Sequence, residues 1–517
     1  MRSGVTKKLI DMFIIGGGIN GAGIARDAAG RGLSVILVEQ NDLASATSSA
    51  SSKLIHGGLR YLEYYQFSLV RKALIERELL LKSAPHIIWP TRFVIPHNQF
   101  QRPKWLIRLG LFLYDSLYLG KKLKSSRAVN LQTEAYGTDL KPGYKSGFVY
   151  SDCRVHDSRL VVLNAQDAAM HGAEIFTQTK FTSAKRVHNV WEISYQTADG
   201  KTHIVQAKTL VNAAGPWIEG INQDKLKLDV KGGTRLIAGS HIIVPKLFDG
   251  DQCYLFQNSD NRVVFAIPYE HKFTMVGTTD IPFEGDASQA KISPAETAYL
   301  CDVANQYFEK QIKPTDVKWS FTGVRALFDD DEKDAKAVTR DYRLDIQRDQ
   351  KNPESAPLLT VYGGKITTFR HLGQQVCQRL RIFLPHMGLD WTRHAILPGG
   401  DIGGDGDIGT NGDMAAFVNK LAQKYSFLPA AYILRLATHY GSKTFDILAD
   451  ATQIEHLGTH LGADIYAAEV DYVVDHEWVT CTDDFIWRRT RLGLHIDAKI
   501  VKTLDAYIAA YKNAKAS

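Results

Sequence analysis

The sequence predicts an α/β + α chain: a dinucleotide-binding Rossmann domain, an antiparallel sheet inserted in it, and a C-terminal helical domain. Three observations predict this. A strand, a glycine loop, a helix and a second strand succeed one another at the N-terminus. Period-two stretches with turn residues between them fill the middle, and helical patterns follow a Gly/Asp-rich segment near residue 400. At 517 residues and 44% hydrophobic, the chain exceeds what one core usually supports, so two or three domains are expected.

The first element is DMFIIGGGINGAGIARDAAGRGLSVILVEQ, residues 11–40. Met12 to Ile15 and Val35 to Val38 are short apolar runs, and Ile24, Ala25, Ala28 and Ala29 fall at helical spacing between them. Gly16, Gly18 and Gly21 satisfy GxGxxG, and Glu39 follows at the end of the second run. The first glycine allows the tight turn, the second lets backbone approach a pyrophosphate, and the third lets helix and strand pack closely. The helix N-terminus supplies N–H groups to the phosphates and Glu39 accepts from a ribose hydroxyl. Gln40 and Asn41 follow without an arginine for a 2′-phosphate, which disfavours NADP.

Residues 68–82, SLVRKALIERELLLK, read as an amphipathic helix with apolar Leu69, Ala73, Leu74 and Leu80. From about 175 to 280 the chain alternates (EIFTQTKF, VWEISYQT, THIVQAKTLVNAAG, SHIIVPK, RVVFAIPY, FTMVGTTD), which predicts strands of the inserted antiparallel sheet. LPGGDIGGDGDIGTNGD, 397–413, reads as a linker, and four helical patterns follow it. The predicted organisation is a dinucleotide-binding domain over 1–390, interleaved with substrate-sheet segments mainly at about 85–150 and 220–340. A linker over 391–414 and a helical domain over 415–517 complete it.

Composition narrows the function classes. The net charge is +6, and residues 102–127 carry seven basic residues against Asp115 alone, so the rest of the chain sums to about zero. That disfavours a nucleic-acid-coating surface and leaves one local basic patch facing something anionic. The five cysteines, Cys153, Cys253, Cys301, Cys377 and Cys481, are scattered without metal-ligand spacing, so no metal is expected and a reduced, cytoplasmic-side protein fits. The N-terminus shows no signal-peptide pattern, and no run reaches about 18 apolar residues, so no spanning helix is expected. The segment 104–124, KWLIRLGLFLYDSLYLGKKLK, with Trp105, Leu106, Leu109, Leu113, Leu117 and Tyr118 between basic ends, fits an interfacial amphipathic helix or a helix buried between domains.

Nicotinamide enzymes usually bind their cofactor within one contiguous βαβ region, whereas FAD proteins of the glutathione-reductase type return to it from distant parts of the chain. TLVNAAGPW, 209–217, runs as a strand into Ala213-Ala214-Gly215, and VYGGKITTFR, 361–370, puts Gly363-Gly364 before a helix whose positive end can stabilise negative charge on a reduced flavin. With the first glycine loop these turns predict a glutathione-reductase-like fold and FAD.

The chain at this point resembles the FAD-dependent, quinone-linked glycerol-3-phosphate dehydrogenases. The residues that carry the resemblance are IIGGGINGAGIARDAAGRGLSVILVE, TSSASSKLIHGGLRYLE, KGGTRLIAGSHIIVP, FTGVRAL, VTRDYRLDI, VYGGKITTFR and HEWVTCTDDFIWRRTRLGL, spread over nearly the whole chain. It implies oxidation of sn-glycerol 3-phosphate to dihydroxyacetone phosphate, with electrons passing through FAD to a membrane quinone. It also implies peripheral contact with the inner face of the cell membrane, and a homodimer stays open. The cofactor contacts implied are Gly16, Gly18, Asn20, Gly21 and Glu39 in the first unit. Thr47, Ser48, Ser49, Lys53, Leu54, His56 and Gly57 follow in the TSSASSKLIHGG stretch, with Ala214, Gly215, Gly364, Lys365 and Thr367 in the later turns. His56 lines the flavin, attaches to it or supports the turn; noncovalent FAD is the expectation.

A phosphomonoester needs convergent cations, for which Arg60, Arg325, Arg340 and Lys365 are the candidates, with Tyr61 as a neutral donor. Oxidising an alcohol also needs a proton acceptor. His241 suits it because histidine's ordinary pKa is about 6.5, and Arg325 is the alternative as an electrostatic stabiliser of the developing alkoxide. Pocket motifs do not separate the dehydrogenase from a glycerol-3-phosphate oxidase that yields peroxide. An RNA-binding flavoprotein lacks aromatic-basic interleaving beyond one segment, and an amino-acid oxidase needs one carboxylate-binding arginine rather than four cations.

Overall fold

The computed structural model describes residues 8–99, 101–118, 123–228, 233–258, 260, 262–328, 341–349, 351–403 and 413–516. In chain order it begins with β1 (Leu9–Ile15), α1 (Ile19–Gly30), β2 (Val35–Val38) and the short β3 (Leu54–Ile55). Then come α2 (Phe67–Ser83), β4 (Ile88–Pro96), α3 (Lys104–Ser116), β5 (Arg127–Asn130), β6 (Ser146–Val155) and α4 (Asp157–Met170). The next stretch is all strand, β7 (Glu174–Phe176), β8 (Lys180–Val187), β9 (Val190–Gln196) and β10 (Thr202–Asn212), and ends at the one-turn α5 (Ile218–Gly220). After it run β11 (Thr234–Pro245), β12 (Cys253–Gln257), β13 (Val263–Tyr269), β14 (Phe273–Gly277), β15 (Ile281–Pro282), α6 (Pro294–Tyr307) and β16 (Trp319–Phe328). β17 (Arg343–Gln347), β18 (Leu358–Tyr362) and α7 (Phe369–Leu380) close the two-sheet part.

The first sheet has the order β17-β18-β10-β1-β2-β7, and β9 joins β10 to β8. Its centre is parallel: β1 pairs with β2 and β10, and β10 with β18. Strands covered on both faces read as continuous apolar runs, which is why MFII and VILV do not alternate with polar residues. The two faces still divide by parity. Met12 and Ile14 pack among α1, α4 and α7, while Phe13 and Ile15 face Phe181, Trp191 and Ile193 of the β8–β9 ribbon.

The second sheet has the order β15-β11-β14-β13-β12-β4-β6-β3, with β16 on β11 and β5 on β6. Its neighbours are antiparallel except at the β12–β4 join, which is parallel. One face buries Val94, Tyr254 and Val276 with residues of α6, and the other buries Phe93, Ile95 and Cys253 with Leu74 of α2 and Tyr114 of α3.

One expectation is corrected here. The stretches EIFTQTKF, VWEISYQT and THIVQAKTLV are strands, but β7 to β10 complete the first sheet rather than the inserted one. The alternation of β9 arises because one face packs on the first sheet's core and the other meets solvent.

Beyond residue 413 lie α8 (Met414–Lys424), α9 (Ala430–Tyr440), α10 (Thr444–Leu448) and the small ribbon β19–β20 (His460–Gly462, Ile465–Tyr466). α11 (Ala467–His476) and α12 (Ala498–Ala516) complete this part, with their own core around Leu421, Leu436, Val473 and Leu504. Within the segment read as a linker, residues 404–412 lie outside the described residues. The helical part is bolted to the first sheet's side by buried ion pairs. Arg489 grips Asp42 with two nitrogens at 2.7 and 2.8 Å, and Arg159 of α4 pairs with Glu477. Among the described residues no helix is long and apolar enough to cross a membrane.

Candidate functional site

A cavity of about 560 Å³ runs from the end of β1 to the β11–β16 pair of the second sheet. At its first end the three glycines act through space rather than through side chains. Gly16 sits at φ +109, and a side chain there would meet the Ala213 carbonyl at 2.7 Å; one at Gly21 would meet the Gly16 carbonyl at 1.9 Å. Gly18 precedes α1, whose Ile19 N–H donates to Ser48 Oγ at 2.9 Å. Glu39 ends β2's run with one carboxylate oxygen accepting Gly17 N–H at 2.8 Å and the other accepting Asn41 N–H at 2.9 Å. Burial pushes its pKa up against those two hydrogen bonds.

The far end is built from two strands in register. Ile237 of β11 opposes Arg325 of β16, and His241 opposes Phe321, so by the period of two Arg325 and His241 project from the same face. Glycines on that face and beside it make the room. A side chain at Gly239 would lie 3.2 Å from the Arg325 guanidinium, and one at Gly277 would lie 2.2 Å from the His241 ring. Arg325 is held by Asp280 at 2.8 Å, and His241 stacks on Phe321 with ring centroids 4.8 Å apart. His241 is only 3% exposed, and burial, with Lys53 and Arg325 nearby, drives its pKa down to about 3, so the imidazole is neutral. Its Nε2 lies 2.9 Å from Ser52 Oγ, and its Nδ1 is buried without a hydrogen-bond partner among the described residues.

The turn after β18 closes this end. Gly363 and Gly364 take φ of +71 and +104, and a side chain at Gly364 would lie 2.7 Å from the Asn20 amide. Asn20 donates Nδ2 to the Gly363 carbonyl at 3.0 Å, which leaves Oδ1 buried and without a partner among the described residues. Lys365 then lays its ammonium 3.8 Å over the Tyr61 ring. Thr367 Oγ1 accepts the His56 N–H at 3.3 Å. The His56 imidazole is kept neutral first by burial, against the pull of Asp152.

Of the residues singled out from sequence, the structure brings to this cavity Gly16, Gly18, Asn20, Glu39, Thr47, Ser48, Leu54 and His56. It also brings Tyr61, Ala214, Gly215, His241, Arg325, Gly364, Lys365 and Thr367. Others do not line it. Gly21 packs against the Gly16 carbonyl, Gly57 is wedged against Leu74 and the Tyr114 hydroxyl, and Ser49 and Arg60 lie off the wall. Lys53 is spent elsewhere: its ammonium binds both oxygens of Asp157 at 3.0 and 2.8 Å, because a fully buried carboxylate needs a cation. Arg340 lies outside the described residues.

Sequence reasoning missed Ser52 and the spacer glycines Gly239 and Gly277. Ser52 was indistinguishable within a hydroxyl run, whereas isolated glycines in strand patterns do signal close approach. The donor set suits a dinucleotide: a glycine-cleared helix N-terminus, an acidic residue at the second strand's end, and two buried polar atoms, Asn20 Oδ1 and His241 Nδ1, without partners among the described residues. No group of three potential metal ligands occurs among the described residues.

Comparison with known proteins gives matches over the length of the chain. Residues 11–343 match the FAD dependent oxidoreductase family model, and residues 391–514 match the C-terminal domain of alpha-glycerophosphate oxidase. A glycerol-3-phosphate dehydrogenase of Pseudomonas aeruginosa is 48% identical over 97% of this chain and 95% of that one. A D-erythritol 1-phosphate dehydrogenase of Brucella abortus is also 48% identical, over 94% and 95%. Among solved structures, the glycerol-3-phosphate dehydrogenase of Bacillus halodurans complexed with FAD superposes with a TM-score of 0.75 at 25% identity, over 98% of this chain and 94% of that one.

Proposed function

The chain belongs to the FAD-dependent glycerol-3-phosphate dehydrogenase family, and from that membership we propose that it oxidises sn-glycerol 3-phosphate to dihydroxyacetone phosphate and delivers the electrons to a membrane quinone. FAD is its cofactor; bound in this cavity it would supply the acceptor for the hydride of carbon 2. Gly16, Gly18, Asn20, Glu39, Thr47, Ser48, Ala214 and Gly215 would hold its dinucleotide part, and Leu54, His56, Gly364, Lys365 and Thr367 its ring end, noncovalently. Arg325 and Lys365 bind the phosphate, with Tyr61 as a neutral donor. Each charge-assisted hydrogen bond to such a dianion contributes about 1.5–3 kcal/mol. Arg340 belongs with them by family motif.

His241 is the proton acceptor. Its imidazole is neutral, which is the form an acceptor needs. Burial depresses its pKa first and Lys53 and Arg325 next; Lys53 is already paired with Asp157, and a phosphate dianion bound at Arg325 offsets that cation and raises the basicity of His241. The single observation that carries this reading is the shared face of β11 and β16, which sets His241 and Arg325 on that face with Gly239 between them, both lining one end of the dinucleotide cavity. Anaerobic mixing of the purified flavoprotein with glycerol 3-phosphate tests it. Flavin bleaching is expected, and an unbleached flavin overturns the assignment.

The Brucella abortus relative favours D-erythritol 1-phosphate as a second substrate reading. The two polyol phosphates share the phosphate and the secondary alcohol, so the ratio of their kcat/KM values separates them. Peroxide yield against quinone reduction separates dehydrogenase from oxidase.

Contact with lipid is supported by α3, which exposes Trp105, Leu109, Phe112 and Leu113 as one stripe while Leu111 and Tyr114 are buried. A stripe of that kind beside basic residues is the pattern of an interfacial helix on the inner, anionic face of the cell membrane.

A further inference from the structure

We propose that Ser52 is a catalytic residue of this site: its hydroxyl takes the proton of the substrate's secondary alcohol and passes its own to His241. The inference rests on the alcohol oxidation proposed above and names the group that stands between the alcohol and the acceptor. His241 is almost wholly buried at 3% exposure, whereas Ser52 is half-buried and lines the same cavity. Ser52 Oγ lies 2.9 Å from His241 Nε2. A hydroxyl that donates to a neutral imidazole keeps its oxygen lone pairs for the cavity side, where an incoming O–H can be accepted.

The surroundings hold Ser52 in that place. Both of its neighbours are tied to Asp157, a carboxylate with no exposure. Ser51 Oγ donates to Asp157 at 2.8 Å and accepts the Lys53 N–H at 2.9 Å. Lys53, in the left-handed region at φ +56, reaches Asp157 with its ammonium and also donates to the Ser49 carbonyl at 2.7 Å. Arg491, from the helical C-terminal part, adds a second cation to the same carboxylate at 3.1 Å. A strained backbone residue and a converging buried ion cluster thus flank one half-buried serine on both sides, a costly arrangement for a residue with no task. The His241 ring is fixed from the other side by Phe321 and by the space left at Gly277.

The step balances. Carbon 2 of glycerol 3-phosphate loses its hydrogen with the electron pair to the FAD acceptor, and the C–O bond becomes C=O. The alcohol proton goes to Ser52 Oγ while the Ser52 proton goes to His241 Nε2, so the site gains one imidazolium and the serine ends as it began. Lys53 and Arg325 are the charged groups that bear on that imidazolium; Asp157 already offsets Lys53, and the substrate's phosphate offsets Arg325.

Single-turnover flavin reduction by glycerol 3-phosphate in the FAD-loaded protein tests the relay, with Ser52→Ala and Ser52→Thr compared with wild type. Removing a general acid–base group costs about 10²–10⁴-fold. Ser52→Ala is therefore expected to slow reduction at least about 100-fold, while the substrate dissociation constant from the same titration moves less than about threefold. Ser52→Thr, which keeps the hydroxyl, is expected within about tenfold of wild type. Reduction of Ser52→Ala within about threefold of wild type, or equal slowing in both variants, overturns the proposal. The visible flavin spectrum of each purified variant shows whether the cofactor site is intact. Should Ser52→Ala purify without flavin, Ser52→Thr decides: a loss above about 100-fold with substrate binding intact overturns the relay. A wild-type flavin that glycerol 3-phosphate does not bleach overturns the substrate reading itself and the relay with it, an outcome distinct from a failure in the variants alone.

Discussion

Arg325 illustrates how much a single residue's position decides. Its guanidinium is anchored by Asp280 and sits over a glycine, so it is presented to the cavity rather than buried in a pair. Replacing it with alanine is expected to lower kcat/KM for glycerol 3-phosphate by about 10–100-fold, the loss of one strong charge-assisted contact. Lysine should restore only part of this, because an ammonium cannot present two parallel donors; steady-state kinetics of the two variants checks both. Arg325, His241, Tyr61 and Lys365 were legible because each stands in a distinctive motif. Lys53 was legible as a residue that wants an anion, but the sequence offers two: a pyrophosphate nearby and a carboxylate 104 positions away. Only the β3–β6 pairing, which sets Leu54 against Arg154 and so brings Asp157 close, decides for the carboxylate.

At the scale of elements, the 3.6-residue period makes α3 legible as a helix, but the period alone does not say which face is covered. The structure covers Leu111 and Tyr114, and Tyr114 donates to Asp152 and accepts the Gly57 N–H at 2.9 Å. The helix is therefore pinned to the loop beside His56 while its opposite stripe stays exposed. Trp105→Glu with Phe112→Glu puts two charges into that stripe without touching the pinned side. Reduced flotation with anionic liposomes and unchanged flavin reduction are expected, since insertion of apolar side chains supplies the lipid affinity. Flotation equal to wild type removes α3 as the lipid contact. The strands from 174 to 212 show the converse limit. A period of two marks a strand equally well in either sheet, and which sheet it joins depends on pairings across the chain, such as β10 with β1, that leave no local trace.

Across the whole molecule the helical C-terminal part and the two-sheet part are joined by buried charge. Arg489 satisfies Asp42 and the Glu477 backbone at once, so Arg489→Met leaves Asp42 with Arg488 as its remaining cation and is expected to cost about 1–3 kcal/mol in denaturant unfolding. The same junction makes the fold acid-sensitive. His86, His156 and His439 lie there among Arg159, Arg435 and Arg491, with the His156 and His439 rings 4.9 Å apart. Burial first, and those cations second, push His86 and His439 down to about 3 and His156 well below its ordinary value. In the unfolded chain each returns to about 6.5. Below that pH the unfolded state binds protons that the folded state refuses, so stability is fully present above about pH 6.5 and falls as pH drops toward 3. Each histidine that stays neutral contributes a slope of up to about 1.4 kcal/mol per pH unit. Between pH 7 and pH 5 ordinary carboxylates remain ionised, which makes this window report on histidines. The urea midpoint should therefore fall steeply from pH 7 to pH 5 in wild type. His86→Leu should flatten that fall by one histidine's share, since both His86 ring nitrogens lack partners among the described residues and little hydrogen bonding is lost with them. An unchanged pH slope in His86→Leu would show that the junction does not hold this histidine neutral.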